Sequence, residues 1–227
     1  MKRDLEYRYE RKFLIKTVSY DWVIHSIKMN SALFKPLYHS RNINNIYFDN
    51  DKLDSFHDNV DGIANRQKVR IRWYGDSKGD VSRPVLEIKN RRNSVGAKLA
   101  YPLPPMFIGE DINEREIKKL ILESNIPELI KTKIMLLRPK LLNGYTRAYY
   151  ISMDKKFRIT VDRNLYYTKF NLHQNSFKEH IIDKSSTVVE LKYHHIDDQF
   201  ADVIANELGF RLTKNSKYVN GIYALYY

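Results

Sequence analysis

The stretch Lys68-Val69-Arg70-Ile71-Arg72-Trp73-Tyr74 decides the fold of this chain. Val69, Ile71 and Trp73 alternate with Lys68, Arg70 and Arg72. Successive side chains of a β-strand point to opposite faces, so this spacing predicts a strand with one apolar and one cationic face. The same split recurs outward along the chain. Leu86 and Ile88 alternate with Glu87 and Lys89, Ile159 and Val161 with Arg158, Thr160 and Asp162, and Val189 and Leu191 with Glu190 and Lys192. Near the start, Arg8, Glu10 and Lys12 share a face opposite Tyr7, Tyr9 and Phe13, with Arg11 intruding on the apolar side.

Strands are predicted over residues 7–15, 43–49, 68–74, 85–89, 98–103, 142–152, 157–162 and 187–193. Helices are predicted over 20–33, over 113–137 with a break at Pro127, and over 197–208, with 214–227 as a further candidate. One such strand fits a half-buried sheet with a solvated charged face. Five strands with the same mixed face point further. If the helices cover the apolar face from outside, the charged face turns inward and a closed antiparallel β-barrel encloses a basic lumen. The expected class is therefore α+β, a closed barrel with helices packed outside. Cations gathered there cost free energy unless carboxylates and an anion neutralise them, which implies a polyanionic ligand.

Composition agrees. The 227 residues carry 39 Lys+Arg against 27 Asp+Glu, a formal net charge of +12, which implies a polyanionic partner. The absence of cysteine excludes disulfides, thiolate metal sites and cysteine nucleophiles, and suits a reducing compartment. No apolar h-region stands at the N-terminus and no apolar run approaches the roughly 18 residues of a membrane span, so a cytoplasmic protein without direct membrane insertion is expected. No Pro/Gly/Ser-rich linker divides the chain, which is read as one domain over 1–227. His194 and His195 point to opposite faces of a strand and cannot easily share an ion. Asn90-Arg91-Arg92 reads as a solvated basic loop. No Walker motif or Ser/His/Asp constellation is present.

The run Tyr9-Glu10-Arg11-Lys12-Phe13-Leu14-Ile15 resembles the opening strand of the VTC-type polyphosphate polymerase domain. Further blocks resemble it in the same order: Ile46-Tyr47-Phe48-Asp49, Asp61-Gly62, Lys68 to Gly75, Leu86-Glu87-Ile88-Lys89, Tyr145-Thr146-Arg147-Ala148-Tyr149, Arg158 to Asp162, Val189 to Tyr193 and Lys214-Asn215-Ser216-Lys217-Tyr218. The resemblance implies the triphosphate tunnel fold, and an activity that builds inorganic polyphosphate from the terminal phosphate of ATP with a divalent metal. It implies Lys12, Arg70, Arg72, Lys89, Lys98, Arg147 and Arg158 as lumen cations, and Lys214, Ser216 and Lys217 as a phosphate cradle. Arg8 and Lys192 join the phosphate-binding set from the same charged faces. Glu190, with Glu10, is the expected ligand of Mn²⁺ or Mg²⁺.

Tunnel triphosphatases typically open with Glu-x-Glu-x-Lys, whereas this chain has Arg8-x-Glu10-x-Lys12. Loss of the first acid removes a carboxylate that a second metal could use to activate water, which favours transfer to phosphate. The expected partners are ATP and polyphosphate or triphosphate, with no nucleic acid. Polymerases of this family can work beside membrane proteins, so a membrane-protein partner is also among the expectations. A tunnel triphosphatase or polyphosphatase, a catalytically silent polyphosphate-binding module and a nucleic-acid binder are the competing readings.

Overall fold

The strands read from alternation are all present, and most run longer than predicted. The computed structural model describes residues 8–92, 95–171, 175 and 180–227. Its strands are β1 (Arg8–Ile15), β2 (Lys35–Asp49), β3 (Asn65–Tyr74), β4 (Gly79–Val81), β5 (Val85–Arg92), β6 (Val95–Pro102), β7 (Met106–Ile108), β8 (Arg138–Ile151), β9 (Arg158–Lys169), β10 (His180–Asp183) and β11 (Thr187–His194). Its helices are α1 (Tyr20–Met29), α2 (Asp54–Val60), α3 (Glu114–Glu123), α4 (Glu128–Met135), α5 (Asp198–Leu208) and α6 (Lys217–Tyr226). Arg91 and Arg92 belong to β5 rather than to the basic loop read from the sequence. Tyr7 and the side chain of Arg8 lie outside the described residues.

The main sheet follows the order β1-β11-β9-β8-β2-β3-β5-β6, with β10 against β9, and β4 pairs with β7 apart from it. The pairings β1/β11, β11/β9, β2/β3, β3/β5 and β5/β6 are antiparallel. The sheet starts at β1 and ends at β6, so among the described residues it is open, which corrects the expected closed barrel. The outer edge of β1 is occupied by irregular chain instead of a strand. Thr213 N–H donates to the Lys12 carbonyl at 2.8 Å, and Leu14 N–H donates to Thr213 Oγ1 at 2.9 Å. An edge satisfied in this way has no need of a strand partner.

By contacts the chain divides into two compact units. The first comprises Met1–Arg41, Tyr145–Leu165 and Asp183–Asn215, and the second Asn42–Gly144, Tyr166–Ile182 and Ser216–Tyr227. In the first, Phe13, Ile159, Val161, Val189 and Leu191 from the strands bury against Val23 and Ile27 of α1 and Ala201, Ile204 and Leu208 of α5. Arg11 intrudes on that apolar side without being stranded there. Its guanidinium donates to Tyr193 Oη at 2.7 Å and pairs with Asp198 at 2.7 Å and Asp202 at 2.5 Å on α5. Helix α1 stops four residues before its predicted end. Buried Asn30 takes an extended conformation and donates to the Ile204 carbonyl at 3.1 Å, which leaves Leu33 exposed and Phe34 in the core.

In the second unit, Val69, Ile71, Trp73, Leu86 and Ile88 bury against Ile117 and Ile121 of α3 and Ile134 of α4. Pro127 separates those two helices as its missing N–H requires. Asn113 caps α3 by accepting from the Glu116 N–H at 3.1 Å. Helix α2 was not read from the sequence because it spans only 7 residues and its cap comes from outside the usual N-cap position. The Asp49 carboxylate accepts from the N–H groups of Ser55 and Phe56, both at 3.0 Å. Helix α6 packs on the other side of this unit's strands. Tyr218 lies 5.2 Å from the Tyr47 ring and donates to Asp49, and a Cβ on Gly221 would meet Leu141 and Tyr167, each at 2.6 Å. No described helix is long and apolar enough to cross a membrane.

Close docking of α6 through Gly221 makes the fold sensitive to a single methyl group. Gly221→Ala is expected to destabilise the protein by about 1–3 kcal/mol through overpacking against two buried side chains. Urea unfolding monitored by tyrosine fluorescence should show a lowered midpoint, and an unchanged midpoint would show that this contact yields freely.

Candidate functional site

Strand register in the first unit builds a ladder of alternating charge. Lys12 on β1 lies opposite Glu190 on β11, which lies opposite Thr160 on β9. In the next row Glu10 faces Lys192, which faces Arg158. Lys12 Nζ reaches Glu10 at 2.9 Å, Glu190 at 3.4 Å and the Asn215 carbonyl at 3.2 Å. Burial acts to lower the Lys12 ammonium, but the charges of Glu190 and Glu10 outweigh it and hold the pKa above the usual lysine range.

Glu190 is 6% exposed and collects its neighbours on both oxygens. Beyond Lys12 it meets Lys192 Nζ at 3.1 Å, Arg147 Nη2 at 3.4 Å and Thr160 Oγ1 at 3.4 Å. Arg147 on β8 makes a bidentate pair with buried Asp162 at 2.5 and 2.7 Å, and stacks 5.2 Å from the Tyr145 ring. Burial opposes its charge, but Asp162, Tyr145 and Glu190 raise the guanidinium well above its usual value. Arg158, opposite Lys192, and Lys214 are both exposed.

The second unit concentrates positive charge more strongly. Glu87 on β5, 5% exposed, receives Arg70 Nε at 2.8 Å and Nη2 at 2.6 Å, Arg72 Nη1 at 3.6 Å, and Lys98 Nζ. Arg70 also donates to Tyr47 Oη at 3.0 Å, and Arg72 Nε donates to Asn45 Oδ1 at 3.0 Å. Burial acts to raise the Glu87 carboxyl, yet Arg70, Arg72 and Lys98 hold it at about 2. Lys68 Nζ donates to Ser216 Oγ at 2.9 Å, and Lys217, in the first turn of α6, is 8% exposed. Lys89 is exposed on the same face as Glu87.

The structure thus brings together Lys12, Glu10, Glu190, Lys192 and Arg147 in one cluster and Arg70, Arg72 and Lys98 in another. Asp162, Glu87, Lys68 and Tyr47 were missed as site residues, although each lies in a quoted strand block. Asp162 and Lys68 even carry the period-2 signal that singled out Arg158, Arg70 and Arg72. His194 and His195 lie at a strand end with ring centroids 4.4 Å apart, and His194 Nδ1 accepts from the Ile196 N–H at 3.5 Å. Among the described residues no three His, Asp or Glu side chains converge as a protein-only metal cage. Glu10 and Glu190 do converge on a single ammonium. Two carboxylates on one cation position fit a hard divalent ion whose remaining ligands come from substrate phosphates and water.

The model of the VTC domain family matches residues 7–226. None of the curated proteins matches the chain. Among solved structures, a candidate adenylate cyclase from Vibrio parahaemolyticus superimposes with a TM-score of 0.54 at 9% identity, covering 95% of this chain and 98% of that one. A protein from Pyrococcus horikoshii gives 0.53 at 11% identity, covering 95% and 99%. A candidate adenylyl cyclase from Hippeastrum, whose dominant activity is that of a triphosphatase, gives 0.53 at 14% identity, covering 95% and 96%. At these identities the likeness is one of fold.

The depressed Glu87 carboxyl has a measurable signature. Its folded pKa of about 2 lies below the ordinary 4.5, so its contribution is present above pH 4.5 and is lost as pH falls toward 2. That window corresponds to about 3 kcal/mol at 1.36 kcal/mol per unit. Glu87→Gln should lower stability at neutral pH and flatten the loss between pH 4.5 and 2 relative to wild type. Urea unfolding across that range checks it, and parallel curves for the two proteins would refute it.

Proposed function

This chain belongs to the VTC domain family, and from that premise we propose that it is a polyphosphate polymerase that transfers the γ-phosphoryl group of ATP to a growing polyphosphate chain. One observation carries the reading. In the second unit Arg70, Arg72 and Lys98 converge on the carboxylate of Glu87, which gathers cationic donors on one face of the kind that receives a polyanion. Phosphoryl transfer asks the protein chiefly for positioning and for positive charge over the equatorial oxygens. Arg70 and Arg72, two residues apart on β3, offer planar donors from one strand face, and Lys89 and Lys98 add point charges. Lys68, Ser216 and Lys217 form a second group of phosphate donors at the start of α6.

In the first unit Lys12, Arg147, Lys192 and Arg158 bind phosphate oxygens, and Arg8 adds to them by sequence position. Exposed Lys214 is a further candidate for this set. Glu10 and Glu190 would hold Mn²⁺ or Mg²⁺, which supplies charge neutralisation on the phosphates when bound. A terminal oxygen of the acceptor chain attacks the γ-phosphorus, the bond to the β,γ-bridging oxygen breaks, and ADP leaves. Arg8 in place of the acid that opens triphosphatase strands supports transfer to phosphate over transfer to water. ATP as donor and the lack of cysteine suit a cytoplasmic setting.

The test is incubation with ATP and Mn²⁺ or Mg²⁺, with products resolved on a polyphosphate-stained gel beside a free-phosphate assay. The expected result is a ladder of chains with ADP. Free phosphate without chains would make the protein a triphosphatase, the activity that dominates in the Hippeastrum neighbour. Arg70→Ala should lose both binding and turnover by at least about tenfold, as loss of a charged donor worth about 1.5–3 kcal/mol implies. Glu190→Ala should keep polyphosphate binding and lose metal-dependent turnover, and full activity of that variant would remove Glu190 from the metal assignment.

A further inference from the structure

Along β8 in the first unit, Tyr145, Arg147 and Tyr149 alternate with Ala148 and Tyr150, which bury in the core shared with α1 and α5. Alternation therefore puts Tyr149 on the same face as Arg147 and Tyr145. On this face Arg147 meets Glu190, the carboxylate that also pairs with Lys12 and Lys192. The row changes character along its length. It is buried and charged at Arg147, and aromatic one step further on, at Tyr149.

Tyr149 is joined there by Tyr38 of β2, the neighbouring strand in the sheet. The two ring centroids are 5.7 Å apart with their planes at 81°. The Arg41 guanidinium lies over both rings, 5.0 Å from the centroid of Tyr38 and 5.8 Å from that of Tyr149. Edge-to-face packing and a shared cation hold the rings as a corner. Tyr38 nonetheless keeps 53% of its surface exposed. A single exposed tyrosine needs no explanation, but one held in place on the row of Arg147 is built like a site.

The corner and its neighbour ask for different chemistry. A ligand that satisfies both has a flat ring at one end and negative charge at the other. Two residues of strand span about 7 Å at roughly 3.3–3.4 Å per residue, so the two ends lie one short spacer apart. A nucleotide has that build, with ribose between the base and the first phosphate. A bare phosphate chain brings nothing for the ring, and a neutral sugar brings nothing for Arg147.

We infer that Tyr38 is the platform on which the base of a nucleoside triphosphate stacks, with the phosphates turned toward Arg147. The inference rests on the nucleotide-donor reading above and adds a subsite for the base. Every base has a π-face, so a stacking platform selects nucleotides over bare phosphate chains and is tolerant of base identity. Tyr38 and Arg41 precede the strand that alternation predicts over 43–49, and only the placement of β2 beside β8 brings them to Tyr149.

The experiment is calorimetric titration of wild type, Tyr38→Ala and Tyr38→Phe with the β,γ-imido analogues of ATP and GTP, which resist transfer, and with tripolyphosphate. Tyr38→Ala should bind both nucleotides about tenfold more weakly, as loss of one stacking ring implies, and tripolyphosphate within about twofold of wild type. Tyr38→Phe keeps the ring and should bind all three ligands as wild type does. An equal loss for nucleotides and tripolyphosphate in Tyr38→Ala, or a loss for none of them, overturns the platform and leaves the phosphate-binding reading in place. A Tyr38→Phe variant as weak as Tyr38→Ala overturns stacking as the cause. A wild type that binds neither nucleotide nor tripolyphosphate removes the phosphate-binding reading, and the platform falls with it.

Discussion

Positive charge gathered on one face of a sheet is the constraint on which the rest of this structure depends. A strand with cations at every second position must put them somewhere, and its apolar alternate positions leave one choice of side. Val69, Ile71 and Trp73 go to a core closed by α3 and α4, so Arg70 and Arg72 take the other face. Phe13, Val189 and Leu191 go to a core closed by α1 and α5, so Lys12, Glu190 and Lys192 take the other face there. Burial of apolar surface at about 25 cal/mol per Å² is strong enough to impose that arrangement. The electrostatic cost must then be met by carboxylates, by solvent or by a ligand.

The two units meet that cost differently. In the first, Lys12, Arg147 and Lys192 are matched by Glu10, Glu190 and Asp162, and cross-strand register sets opposite charges against each other. In the second, three cations share Glu87, and the next rows repeat positive charge. A matched cluster tolerates the absence of ligand and offers carboxylates to a metal ion. The second cluster gathers Arg70, Arg72 and Lys98 on one acid, which holds them in place.

Much of this was legible in the sequence because period 2 is a direct readout of sheet faces. Arg70, Arg72, Glu190 and Lys12 stand where alternation put them, and the helix break at Pro127 follows from a missing donor. What could not be read depends on contacts distant along the chain. Helix α1 ends where Asn30 turns to bond the Ile204 carbonyl. Thr213 satisfies the edge of β1, so the barrel inferred from charge direction is an open sheet among the described residues. Charge direction alone says which side the cations take and is silent on how an edge is finished. The partners of the cations were missed for a related reason. Asp162 and Glu87 read as ordinary members of alternating strands until register set them beside Arg147 and Arg70.

The same charge arrangement bears on where a phosphoryl group is delivered. Hydrolysis needs water to lose a proton, and a useful general base has a pKa near the working pH. Glu87, held at about 2 by burial-resistant contacts with Arg70, Arg72 and Lys98, is a poor proton acceptor at neutral pH. Asp162 is engaged by both arms of Arg147, and Glu190 is flanked by Lys12, Lys192 and Arg147. The end of a polyphosphate chain is already ionised and needs no base. On the polymerase reading proposed above, an acceptor that needs no base suits the cationic cluster around Glu87 in the second unit, and Arg8 in place of the acid that opens triphosphatase strands points the same way.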